Sequence, residues 1–325
     1  MIHILSTLRG STEFVQAREA SKHLPESDPE PICPVRPGEA AFLGQRHGLP
    51  VARAVAQPLA GHPGTGNIAL FECLDDPAMA LELLGACETH LAKLGCRTIL
   101  GPLDGDTWHA YRTVDPGSDP PFLLDRSTPD WTGELFRRSG YRVCDRYLST
   151  WIPREHLAWP RLEAHWQRLA RRGVAIRPLD AADWDRELER LHALSLEAFA
   201  DNSWASPLDF QGFRRLYDPW KGRLPTDGIL LAVLGDRLLA YLVSCPEPLG
   251  DGTTRTILKT VAASSHPLAR GLGALLGEFA HRKAFQAGHA GVVHALMHEH
   301  NPSTRILAGH GRVVRTYSLW RKDLP

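Results

Sequence analysis

Apolar positions along the chain recur with two periods, and the switches between them lay out the elements. In the first half, runs at 2–5, 41–43, 51–56, 68–73, 96–100 and 142–152 read as strands. Between the fourth and fifth of these, Ala80, Leu83, Leu84, Cys87, Leu91 and Leu94 fall on one face at helical spacing. Asp76 before Pro77 supplies an N-cap and a first-turn proline, and Gly95 supplies the stop. Further helices are predicted at 12–23 and 129–139. Five prolines between 24 and 39 predict a loop, because proline withholds a donor and fixes φ. The glycine-rich stretch 61–67 precedes a strand and not a helix, so it reads as a hairpin turn.

The second half repeats this order. A strand at 174–178 leads to a helix from Asp183 with Leu188, Leu191, Leu194 and Phe199 in register. A hairpin follows at 229–234 and 238–244 around Gly235-Asp236, then a strand at 256–262. Arg270-Gly271-Leu272-Gly273 forms a turn, and Leu275, Leu276, Phe279 and Ala280 open a helix that stops at Gly288. A strand at 292–297, Asn301, a short helix and a last strand complete the chain. Arg142, Val143, Tyr147 and Trp151 parallel Arg312, Val313, Tyr317 and Trp320 with one residue of slippage, which makes duplication of one fold the expectation. The expected organisation is a domain at 1–152, a helical linker at 153–173 and a domain at 174–325. The linker is basic, with Leu162, Trp166 and Leu169 along one side, and is expected to bridge the two domains with that apolar side. In each half the strand-helix-strand unit predicts a parallel pair, 256–262 beside 292–297 and 68–73 beside 96–100.

Composition narrows the class. A chain of 325 residues with 43% hydrophobic and 23% charged residues has apolar matter for two cores. Its net charge of zero argues against nucleic acid or an anionic membrane held through bulk charge. No apolar run approaches the roughly 18 residues of a membrane span, and no secretory signal is legible at the start, so the expected location is cytoplasmic. Six cysteines without a C-x-x-C predict reduced, buried thiols in place of a disulfide framework or a zinc site.

Glycines at the mouth of a helix let backbone approach a ligand, and the first helical N–H groups favour an anion. Strand, Arg-Gly-x-Gly turn, long helix, strand, Asn301, short helix and strand together resemble the acyl-CoA-binding half of the GNAT superfamily of N-acyltransferases. The resemblance implies an α/β fold with a mixed sheet, present as two tandem GNAT-like domains. It further implies that Ala262, Ala263, Arg270, Gly271, Leu272, Gly273, Ala274 and Asn301 hold acetyl-CoA or another acyl-CoA as cosubstrate, with Leu268, Gly271 and Gly273 in the positions of the family turn. No metal is expected. The first half lacks the glycine turn, and Asp75 and Asp76 at its helix mouth would repel a pyrophosphate. It therefore reads as a degenerate copy that shapes substrate access. Phe71-Glu72, Gly101-Pro102 and Asn202-Ser203-Trp204 also resemble features of a group of bacterial tandem GNAT proteins.

Acyl transfer to an amine needs a base for the ammonium. Family members often place a Glu on the fourth strand, where this chain has Lys259, and a Tyr after the Asn, where it has Ala308. His298, Glu299 and His300 are the candidate base cluster, since histidine titrates near neutrality. Strand alternation predicts that His294 and His298 face one side, about 13 Å apart, too far for one zinc ion. Glu72 and His109 are further polar candidates for a cleft between domains. Three functions remain open. One is transfer of an acyl group from coenzyme A, or from the phosphopantetheine of an acyl carrier protein, to a small-molecule or peptide amine. The others are acyl-CoA binding without catalysis, and thioester hydrolysis or decarboxylation.

Overall fold

The computed structural model describes residues 2–20, 33–125, 127–157, 162–301, 304 and 311–325. The first half supplies β1 (Ile2–Thr7), α1 (Thr12–Ala20), β2 (Ala40–Arg46), β3 (Leu49–Pro58), β4 (Thr65–Cys73), α2 (Pro77–Lys93), β5 (Thr98–Gly101), β6 (Thr113–Val114), α3 (Thr132–Arg138) and β7 (Arg142–Pro153). A linker helix, α4 (Glu163–Ala170), comes next. The second half supplies β8 (Val174–Pro178), α5 (Trp184–Ala198), α6 (Phe210–Tyr217), β9 (Ile229–Leu234), β10 (Arg237–Pro248), β11 (Thr254–Ala263), α7 (Leu272–Gln286), β12 (Gly291–His298) and β13 (Arg312–Asp323). The expected end of α1, most of the proline-rich loop, and the short helix with Ala308 lie outside the described residues. Asp76 caps α2 as its position predicts, accepting the Met79 N–H at 3.3 Å.

All strands join one mixed sheet in the order β1-β2-β3-β4-β5-β13-β7-β12-β11-β10-β9-β8, with β6 added to β13. The last strands of the two halves are exchanged. β13 lies against β5 of the first half, and β7 lies against β12 of the second. At the centre β7 and β13 pair antiparallel, with Tyr147 opposite Tyr317, Trp151 opposite Arg312 and Arg142 opposite Arg321. The sequence repeat thus pairs with itself about the two tyrosines. Trp320 is buried in the first-half core beside Leu135, Phe136 and Tyr141, and its indole N–H donates to Thr113 Oγ1 at 2.9 Å. Trp151 correspondingly packs with Ile257 and Val293 of the second half.

The linker helix buries the apolar side that its sequence marks, in a core that also holds Ile152 and Leu148 of β7. Its apolar side, Trp166 and Leu169, packs with the α7 and β8 core, and Trp166 meets the Phe279 ring edge-on at 6.1 Å. The described part of α4 is therefore docked on the second half, because α7 offers the apolar partner its hydrophobic side requires.

Both crossovers return parallel, as predicted. The ladders are short, running from Thr65 opposite Thr98 to Asn67 opposite Leu100, and from Thr256 opposite Val292 to Leu258 opposite His294. Beyond them the strands part. In the first half the gap is stitched by the chain itself. Leu103 N–H donates to the Ile68 carbonyl at 2.8 Å and Asn67 Nδ2 donates to the Leu103 carbonyl at 2.6 Å. The buried Asp104 carboxylate accepts the Leu70 N–H at 2.8 Å, where Leu70 has φ 47°. The backbone edge of β4 is thereby satisfied internally.

Two stability predictions follow from this framework. Trp320→Ala removes a second-half side chain from a first-half core, at an expected cost of about 3–5 kcal/mol in urea denaturation. Hydrogen exchange should rise in α3 and β5, whereas protection lost in the second half alone would contradict the exchange. Asp104→Ala leaves the buried Leu70 N–H without an acceptor and should cost about 1–3 kcal/mol by the same measurement.

Candidate active site

In the second half the β11–β12 ladder ends at Leu258 opposite His294, and α7 begins after β11 with a glycine turn. Its N-cap, Gly271, has φ 82°, a conformation glycine adopts without strain. A Cβ there would come within 2.9 Å of His165 Nε2, and one on Gly273 within 3.3 Å of Val261 Cγ1. Both glycines thus let the turn lie close against its neighbours. The amides of Leu272, Gly273 and Ala274 open the helix without intrahelical acceptors. His165 of α4 clamps the turn: Nε2–H donates to the Arg270 carbonyl at 3.1 Å, while Nδ1 accepts from Arg168 at 3.2 Å. Beside the turn lies a groove of about 370 Å³ whose polar wall is His165, Arg168, Arg171, Arg172 and Arg270. Helix amides and guanidinium groups suit the phosphates of coenzyme A.

The other face of the sheet carries the ionisable groups. β11 is bulged at Lys259, since Leu258 pairs with Ser244 and Thr260 with Val243, leaving Lys259 as the extra residue. A bulge re-aims a side chain. Leu258 packs with the α7 core, while Ile257 packs on the opposite face with Phe122, Val293 and Ala295. Lys259 Nζ reaches first-half chain on that face and donates to the Leu124 carbonyl at 2.6 Å. Burial, then the charge of Arg112, lowers the Lys259 ammonium to about 8, with Asp125 acting the other way. Asp125 receives Arg315 Nε at 2.7 Å and the Tyr317 hydroxyl at 2.9 Å. The Arg112 guanidinium lies 4.0 Å from the ring centre of Tyr111, 5.3 Å from Tyr147 and 5.2 Å from Tyr317. The segment around Phe122 roofs this face, with the Leu123 N–H donating to Glu247 Oε1 at 2.8 Å.

The residues singled out in the sequence are only partly brought together. His298 lies at the end of β12, its ring edge-on to Tyr147 with centroids 5.1 Å apart. Its Nδ1 accepts the His300 backbone N–H at 3.2 Å and its Nε2–H donates to Asp145 at 3.1 Å. Asp145 is fixed in turn by the Trp204 indole N–H at 2.7 Å. Both ring nitrogens of His298 are committed, so no lone pair faces a substrate. Glu299 and His300 are 3.9 Å apart, and the His300 ring projects to solvent. His294 does not share the side of His298, contrary to strand alternation. β12 shifts register between His294 and Met297, with Leu296 at φ 64°, and this bulge reverses the pattern. His294 instead meets His281 of α7 at 2.7 Å, where burial lowers it to about 3.

Glu72 is elsewhere. It accepts from the buried Arg53 at 2.8 Å on β4, four strand positions from β12 and so about 19 Å away. His109 is bound to the buried Asp106 at 2.7 Å. Ala262 and Ala263 end β11, on the strand that borders the gap. Asn301 follows β12, its N–H donating to the His298 carbonyl at 2.8 Å and its own carbonyl accepting Thr304 Oγ1 at 2.7 Å. Arg112, Asp125 and Tyr147 carry no motif. The one legible signal for this face was Lys259 on the fourth strand of the repeat.

No protein-family model matches the chain. Protein YghO of Escherichia coli K12 is 24% identical over 213 residues, which cover 64% of this chain and 55% of that protein. The chain therefore spans about half the length of this relative. A tandem GNAT protein from the clavulanic acid biosynthesis pathway superposes with TM-score 0.57 at 12% identity, covering 99% of this chain and 98% of that one. A conserved protein from Enterococcus faecalis V583, described as a probable N-acyltransferase, gives TM-score 0.58 at 10% identity, covering 100% of this chain and 72% of its own. Eis1 from Mycobacterium abscessus gives 0.54 at 13% identity, over 99% and 73%. The superpositions run over 99–100% of this chain, which has the tandem GNAT-type fold.

Proposed function

We propose that the protein transfers an acyl group from acyl-CoA to an amine, using the second-half gap alone. The observation that carries this reading is the asymmetry of the two gaps. The first is bridged by Leu103 and Asp104, while the second half carries a glycine turn and a basic groove at the mouth of α7 and Lys259 on the other face of its sheet. Arg270, Gly271, Leu272, Gly273 and Ala274 take the pyrophosphate, and Arg168, Arg171 and Arg172 of the linker helix add cationic surface beside it. Ala262, Ala263 and Asn301 border the pantetheine path.

Acyl-CoA supplies an activated acyl group as a thioester. The C–N bond to the amine forms as the C–S bond breaks. Of the two protons the ammonium gives up, one ends on the sulfur and one in solvent. Neutral Lys259 Nζ, with one N–H held by the Leu124 carbonyl, keeps its lone pair for such a proton, whereas His298 keeps none. His298 positions Tyr147, whose hydroxyl stays protonated because burial raises it.

Three measurements test this. Hydrogen exchange with acetyl-CoA should slow at 270–274 and not at the mouth of α2, and Gly273→Asp should abolish binding by adding bulk and negative charge. Thiol release over an amine library should rise with pH and level off above about 8, since the base must lose its proton and Arg112, Asp125 and Cys245 surround it. Lys259→Met should lower kcat roughly 10²-fold with acetyl-CoA affinity retained. Equal protection of both helix mouths, or an unchanged pH profile in Lys259→Met, would overturn the assignment.

A further inference from the structure

The face beside Lys259 holds a charge that the protein does not answer. Arg112 is 8% exposed, yet its Nε and Nη1 have no hydrogen-bond partner. Its guanidinium carbon lies against the rings of Tyr111, Tyr147 and Tyr317, which attract the charge without satisfying the Nε and Nη1 donors. Arg315, the neighbouring buried arginine, differs: it is neutralised by Asp125 at 2.7 Å. Asp125 spends one oxygen on that pair and on Tyr317, and its other oxygen, Oδ1, is buried without a partner. An unanswered buried guanidinium is costly, and with an orphaned carboxylate oxygen on the same face it points to a ligand.

We propose that this face is the acceptor site and that the acceptor is an amino acid or other amino carboxylate, its carboxylate on Arg112 and its ammonium on Asp125 Oδ1. The inference rests on the acyl-transfer reading for its consequence but not for its geometry. A planar guanidinium pairs a carboxylate through two parallel bonds. Arg315 is already compensated by Asp125, so Arg112 is the fixed guanidinium on this face without a carboxylate. That charge matches a monoanion better than a dianionic phosphate. The free Asp125 oxygen supplies the opposite sign for the amine. Lys259 contacts the carbonyl of Leu124, next in the chain to Asp125, so the amine is delivered beside the base and at the end of the β11–β12 gap.

The test is thermal denaturation of the full chain, with and without coenzyme A. The probes are a panel of amino acids (glycine, alanine, phenylalanine, glutamate, lysine), their carboxamides, and phosphoethanolamine, all at millimolar concentration. At least one amino acid should raise Tm by several degrees and its carboxamide should not. Arg112→Met should lose the shift, and Arg112→Lys should keep part of it. Arg112→Lys also decides the matter should Arg112→Met fail to fold. In thiol-release assays the carboxamide of the preferred acceptor should show kcat/KM roughly tenfold to a hundredfold lower, the size of a lost charged hydrogen bond. Equal shifts for acids and amides, no shift with any acid, a shift retained in folded Arg112→Met, or a stronger effect of phosphoethanolamine would each overturn the proposal. Amino-acid shifts without thiol release would sink acyl transfer and leave the site standing. Thiol release with acids and amides alike would do the reverse.

Discussion

The antiparallel pairing of β7 with β13 is the constraint on which everything else in this molecule rests. Each strand is the last of its half and each is long enough to pair on both edges, so neither half closes its sheet with its own chain. The ladder crosses at Tyr147 and Tyr317, and the terminal tryptophans are exchanged as cargo, each seated among the other half's residues. The exchange also builds the candidate site. Lys259 and His298 come from the second half, while Tyr147, Arg112 and Asp125 come from the first, and they meet because β7 lies beside β12.

Two copies of one topology have taken opposite fates, and a few polar contacts separate them. A parted parallel pair exposes backbone edges that need partners. The first half answers that need from within, placing Leu103 against Ile68 and the Asp104 carboxylate on the Leu70 N–H. The second leaves its gap beside a helix mouth with glycines at its start. The linker helix, held by the α7 core, adds a histidine clamp and three arginines to the rim of that mouth. Charge follows the same division: Asp75 and Asp76 stand before α2, and Arg270 stands before α7.

The proposed acceptor face shows why burial and charge have to be read together. Two arginines share the Tyr317 ring, but Arg315 also has Asp125, the Tyr317 hydroxyl and the Asp119 carbonyl as partners. Arg315 holds Asp125 and belongs to the framework, whereas Arg112 is fixed by rings that attract its face and ignore its edge. Stability alone would favour an apolar residue there, which is why an unpartnered guanidinium supports the proposed recognition role.

Much of the architecture was legible because periodicity and caps are local. Asp76-Pro77, Gly95, the turn at Gly271 and the repeated Tyr147 and Tyr317 strands fixed the elements, their order and the duplication from the chain alone. The parallel pairs followed from connection length. What the sequence could not settle depended on which strand lies beside which. The exchange of β7 and β13 is a choice between pairings of equal local quality, and it decided that Tyr147 serves the second half. Bulges defeated alternation: one extra residue at Lys259 and a left-handed Leu296 re-aimed the side chains, which turned Lys259 toward the Leu124 carbonyl and took His294 away from His298. Hydrogen-bond commitment, too, is a tertiary property. His298 looked like a free base until Asp145 and the His300 amide were in place, and Arg112, which stands in no motif, is marked out only by the three tyrosines around it.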